Sequence, residues 1–168
     1  MNKKENGVTL VALTVMIILM LIIAGITIYN GKESIKQAKL EELRTNMLLI
    51  EAKAKECVED ASFKIGINET DTEKIANVRK EVYEGIGLVA VTDTQKTIPS
   101  LPSGISSKET LYWVTEETLK NWGLNHIKLD EDEAYFVDFN EKNVTVEIYN
   151  NMGYNGKYSL TDINQIDE

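Results

Sequence analysis

The sequence predicts an α+β protein in which one long N-terminal helix carries a small antiparallel sheet on its second half. Three observations say so. Val8–Ile28 is an unbroken run without a charge, and an apolar seam continues at helical spacing to Ala61. Near the C-terminus two aromatic, β-branched runs, Ala134–Phe139 and Val144–Tyr149, are joined by the four polar residues Asn140-Glu141-Lys142-Asn143.

The first element is the apolar run. A hydrocarbon core of ~30 Å needs ~20 apolar residues at 1.5 Å per residue, and the 21 residues of 8–28 meet that length. The segment before it, Met1–Gly7, is short and polar, contains Lys3 and Lys4, and ends in Gly. A secretory signal has a shorter core and a small-residue cleavage site, which this run lacks. Flanking charge does not set the orientation, because Lys32, Lys36, Lys39 and Arg44 on the far side outnumber Lys3 and Lys4.

The second element continues the first. Leu40, Leu43, Met47, Ile50, Ala54, Cys57 and Ala61 alternate spacings of three and four, which lines them up along one helix face. No Pro occurs before Pro99, so the membrane run and the seam are expected to form one rod from Val8 to about Ala61, roughly 80 Å long. Gly25 and Gly31 are the places where it could bend. The seam is expected to serve as a spine for the sheet.

These residues resemble the type IV pilins and their pseudopilin relatives. The likeness lies in the leader with Lys3 and Lys4 ending in Gly7, the uncharged Val8-Thr9-Leu10-Val11-Ala12-Leu13 that opens a long helix, and the polar domain that follows. It covers about the first sixty residues; beyond them, only the layout matches, in an order like that of the C-terminal halves of clostridial pilin-like proteins. The resemblance implies cutting by a prepilin peptidase between Gly7 and Val8, and N-methylation of Val8. It implies as partners the peptidase, other pilin or pseudopilin subunits, an assembly platform protein and the membrane. The chain departs from the family at three points. Val8 stands where Phe is usual, Ala12 stands where the fifth mature residue is usually Glu, and the mid-membrane Pro is missing. Since subunits proposed to sit at a filament tip lack that Glu too, the resemblance implies a minor or initiating subunit, or else a lineage that assembles without the Glu.

Four segments are therefore expected: a leader at 1–7, a transmembrane and assembly helix at 8–28, its amphipathic continuation at 29–61, and a globular α+β head at 62–168. In the head, Ser62–Thr70 reads as loop. Asp71 or Thr72 caps a second helix with Ile75, Val78 and Val82 at helical spacing, ended by Gly85. Gly87–Thr92 reads as a strand, and Asp93–Lys108, with both prolines, as an exposed connection. Leu111–Val114 is a short strand. Thr115 then caps a helix with Glu116 and Glu117 in its first turn and Leu119 and Trp122 turned inward. In the hairpin, Tyr135, Val137 and Phe139 share a face, as do Val144, Val146 and Ile148. Tyr154–Glu168 is expected to add an edge strand and tail.

Composition narrows the function. Without Lys3, Lys4 and Glu5, the 16 Lys/Arg and 26 Asp/Glu of residues 31–168 leave −10, a surface ill suited to nucleic acid. Cys57 is alone, on the seam, and reads as packing. His126 is the only histidine and has no motif-level partner; no Ser or Cys has one either, so an enzyme is not expected. Asp130-Glu131-Asp132-Glu133 could attract Ca²⁺, but it lacks the Gly and the later Glu of an EF-hand loop and reads as a solvated acidic turn. Neither a metal nor a cofactor is expected. Asn68-Glu69-Thr70 and Asn143-Val144-Thr145 match glycosylation sequons, which mean little in most bacteria. The sequence thus predicts a structural pilus or pseudopilus subunit, single-pass in the cytoplasmic membrane before assembly and in a surface or envelope-spanning filament afterwards. The alternative is an uncut signal-anchor protein displaying a binding or sensing domain.

Overall fold

The computed structural model describes residues 8–103, 105, 108–140 and 145–166, with side chains in the first helix described at 13–21 and from 34 onward. The chain divides into two compact units, Met1–Glu41 and Glu42–Glu168.

Helix α1 spans Val8–Ile65, 58 residues, and contributes to both units. In the first unit, every described side chain at 13–21 and 34–39 is exposed. Its last part, from 42 onward, belongs to the second unit together with the sheet. There the expected seam is buried throughout: Leu43, Met47, Ile50, Ala54, Cys57 and Ala61. The helix ends at Ile65, four residues beyond the expected stop.

The remaining elements are α2 (Thr72–Gly85), β1 (Val89–Ala90), β2 (Leu111–Val114), α3 (Glu116–Asn121), β3 (Tyr135–Asn140), β4 (Thr145–Tyr154), β5 (Lys157–Ser159) and α4 (Leu160–Ile163). The five strands form one antiparallel sheet in sequential order, β1-β2-β3-β4-β5. Chain-order neighbours pair throughout, so no crossover connection is required. Of the loop expected at 140–143, Asn140 belongs to β3 and 141–143 lies outside the described residues, as does Val144, expected to open the next strand.

Register sorts the side chains, since partners directly opposite share a face. Tyr112 pairs with Val137 and Val137 with Ile148, so these three lie on one face together with Tyr135, Phe139 and Val146. That face carries the helices. Asn46 of α1 reaches the Tyr135 hydroxyl. Tyr83 of α2 stacks on Phe139 at 4.0 Å between ring centroids, and Tyr112 meets both rings edge-on. Tyr83 and Phe139 are buried and Tyr112 partly so, and fully burying side chains of this size stabilises by about 1.5–3 kcal/mol each.

The opposite face corrects one expectation. Asp93–Lys108 is not simply an exposed connection. Pro102 is buried, and Val91, Ile98, Leu101 and Ile105 pack on a core of Leu111, Ala134 and Phe136. A β3 strand apolar at Phe136 as well as at Val137 needs cover on both sides, and this segment supplies the second layer. Its apolar residues follow no helical or strand period, which is why the sequence reads it as loop.

Local chemistry explains the helix ends. Asp71 caps α2 by accepting from the N–H groups of Glu73 and Lys74. Thr115 caps α3, with a reciprocal bond between Thr115 and Thr118. The Thr115 hydroxyl also donates to the Gly87 carbonyl at 3.0 Å, tying α3 to the segment that enters β1.

Candidate functional site

The residues expected to be cut and modified lie at the start of α1. Gly7 falls outside the described residues. Val8 opens the helix and Ala12 lies within it, but their side chains are not among those described. From residue 13 the description is full. Leu13, Val15, Met16, Ile17, Ile18, Leu19, Met20 and Leu21 are each 49–67% exposed, so apolar side chains project on every side of the helix. A helix that is apolar all round is stable only where something apolar surrounds it. Among the described residues no helix is long and apolar enough to cross a membrane; of the run Val8–Ile28, only 13–21 has described side chains.

In the second unit, a polar cluster holds α1 to the sheet. Tyr135, 1% exposed, is approached at its hydroxyl by Asn46, Glu133 and Asn150, and burial pushes its pKa well above the usual tyrosine range. Asn150 is buried too. Its Nδ2 donates to Glu133 Oε1 at 2.7 Å, while its Oδ1 accepts from the N–H groups of Met152 and Gly153 at 2.9 and 2.7 Å. That double acceptance draws the backbone into a bulge, visible as the register shift between Tyr149 and Tyr154. Asn151 accepts from Ala134 N–H and donates to the Asp132 carbonyl, both at 2.7 Å. Two consecutive asparagines therefore shape one end of the sheet. The sequence reading passed over them because an Asn in a strand has no periodic signal.

The acidic turn has a structural member and three exposed ones. Glu133 is half-buried and accepts from Asp130 N–H as well as from Asn150. Asp130, Glu131 and Asp132 are exposed. Among the described residues, no group of three His, Cys, Asp or Glu side chains is placed to hold a metal ion.

Cys57 and His126 are far from equivalent. His126 is exposed just after α3. Cys57 is buried among the seam residues, and burial pushes its thiol up to about 11, partly offset by the neighbouring Trp122 indole. Among the described residues the Trp122 N–H makes no hydrogen bond of ordinary geometry, so the sulfur is a weak neighbour to it and not a true acceptor. A thiol so placed is a poor nucleophile.

Beside α3 lies an open cavity of about 520 Å³, floored by the buried Leu119 and Ile127 and rimmed by Lys120, Lys128, Glu116 and Leu129. No protein-family model, curated protein or solved structure matches this chain. Its function is read from its own residues.

Proposed function

We propose that this protein is a structural subunit of a type IV pilus or pseudopilus, freed of Met1–Gly7 by a prepilin peptidase and assembled through its N-terminal helix. One observation carries the reading: a short basic leader ending in Gly7 joins an uncharged segment whose helix presents apolar side chains all round at 13–21. A second supports it, namely that the same helix, from 42 on, is the spine of an antiparallel sheet.

In this reading, Val8–Ile28 rests in the membrane until it exchanges lipid contacts for those of neighbouring subunits. Ala12 removes both the desolvation cost of a carboxylate in the membrane and the contact it would make there. A minor or initiating subunit suits that loss. The acidic head then forms part of the filament surface.

Ala12 is also the observation that favours the second reading, an uncut single-span protein displaying its head. Co-expression with a prepilin peptidase and intact-mass measurement separates the two. Loss of Met1–Gly7 with a methylated Val8, blocked in Gly7→Leu, is the expected result. A chain that stays whole beside an active peptidase overturns the proposal.

A further inference from the structure

Most cations of the second unit are already engaged. Lys53, Lys55, Lys74, Lys80 and Lys157 each pair with a nearby carboxylate, and Arg44 donates to backbone carbonyls. Lys64, Lys96, Lys108, Lys120 and Lys128 pair with no carboxylate among the described residues. Of these five, only Lys120 and Lys128 line the same cavity, over the apolar floor of Leu119 and Ile127; Glu116 lines it too, so the rim carries two cations and one carboxylate. On a chain of net charge −9, two unpaired lysines over an apolar floor form a local site for an acidic segment.

The chain itself carries such a segment. Asp130, Glu131 and Asp132 are exposed, and their carboxylates pair with no cation among the described residues. The turn is held in shape from within: Glu133 accepts from Asp130 N–H, and Asn151 donates to the Asp132 carbonyl. It is therefore presented as a firm projection, and ordering it on binding costs little. Leu129, which lines the cavity, is the residue immediately before it.

We infer that a second copy of this chain docks here, its acidic turn 130–132 meeting the Lys120–Lys128 cavity. The cavity lining ends at Leu129 and the turn begins at Asp130, so the two adjoin in the chain. A two-fold arrangement therefore engages both at once, each copy giving its turn and receiving the other's. This contact belongs to the head alone and does not depend on how the N-terminal segment is processed.

The test mixes full-length chains of natural and heavy isotopic composition in mild detergent and joins lysines to touching carboxylates with a carbodiimide. Peptides combining the two isotopes come only from contacts between copies. Those linking Lys120 or Lys128 to 130–132 should exceed those from Lys64, Lys96 or Lys108 by about fivefold, the weight of one favourable exposed ion pair. Lys120→Glu with Lys128→Glu, and Asp130→Lys with Glu131→Lys in a separate chain, remove the linkable groups themselves, so each alone is read by native mass, which should shift from paired to single chains. Mixing the two variants should restore inter-copy links between the exchanged residues, because a two-fold pair then matches at both contacts. Equal links from all five lysines, or no restoration in the mixture of variants with wild-type melting curves, overturns the inference. Should either charge reversal unfold the head, Lys120→Gln with Lys128→Gln is read by the same native-mass shift from paired to single chains. Loss of the leader in the same samples is read separately by mass.

Discussion

Arg44, in the long helix, donates from Nη2 to the carbonyl of Ile166, 122 positions later, at 3.1 Å, and to that of Ile163 at 3.3 Å. These carbonyls lie at and beyond the C-terminal end of α4, where backbone acceptors have no partner within the helix and partial negative charge collects. One guanidinium thus fastens the end of the described chain to the spine. Arg44→Met should lower head stability by about 1–3 kcal/mol, the range for a charged hydrogen-bonding group removed from a part-buried site. Arg44→Lys should recover less than half of it, because a shorter, freely rotating ammonium does not hold two hydrogens where the rigid guanidinium plane fixes those of Nη2. Trp113 and Trp122 both lie in the second unit, so urea unfolding followed by tryptophan fluorescence reports this unit directly.

Gly153 is the position least able to accept a side chain. Its φ is +60°, and an added Cβ would lie 2.2 Å from the Lys157 carbonyl oxygen and 2.7 Å from the Tyr158 ring. Gly153→Ala should cost roughly 2–4 kcal/mol, since a left-handed backbone and a collision with main chain act together. Gly156 has φ +77° but nothing within 4 Å, so Gly156→Ala should cost only about 1 kcal/mol. Equal losses in the two variants, measured by the same urea melt, would show that the bulge yields and that the close approach is unimportant.

Asn150→Asp separates the charge of the buried cluster from its shape. The new carboxylate keeps the acceptor for Met152 and Gly153 but faces Glu133 across the present 2.7 Å contact. Two carboxylates so close cannot both remain ionised without a penalty. The variant should lose about 2–4 kcal/mol at pH 7 and regain part of that near pH 4, where a shared proton rebuilds the hydrogen bond. Melting curves across that pH range check it; a loss independent of pH would refute the electrostatic account.

The Cys57 thiol sets an alkaline limit. Its folded pKa is raised to about 11, whereas an unfolded thiol titrates near ~8.5. Below about pH 8.5 both states hold the proton and the contribution is complete; it falls away as pH rises through 11, because the unfolded chain ionises first. The raised Tyr135 acts in the same direction at still higher pH. Cys57→Ala should flatten the decline in stability between pH 9 and 11 while costing about 1 kcal/mol at neutral pH for the lost packing. In the native chain at pH 8, thiol reagents should react with Cys57 only after urea unfolds the head.

Much of this architecture was legible in the chain because it is periodic. The seam from Leu43 to Ala61, the Asp71 and Thr115 caps, and the alternation of Tyr135, Val137 and Phe139 all repeat a local rule, and each appears where that rule places it. The Asn155-Gly156 turn, with φ of +49° and +77° between Tyr154 and Lys157, was equally legible as a two-residue hairpin signal and was missed inside an expected tail. Tyr83 was missed for another reason: its neighbour Val82 already filled the helical period, and its stacking partner Phe139 is 56 positions away.

By itself the sequence determined what depends on neighbours along the chain: the uncharged start, the helical spine, the caps and the strand alternation. Only the tertiary structure decided what depends on residues far apart meeting. It drew Ile98, Leu101 and Ile105 over the second face of the sheet, sent Arg44 to the carbonyls of Ile163 and Ile166, and gathered Asn46, Glu133 and Asn150 around Tyr135. The physical reason is that a buried apolar face or polar group must be covered or paired by whatever the fold brings to it, and no local period records which residue that is.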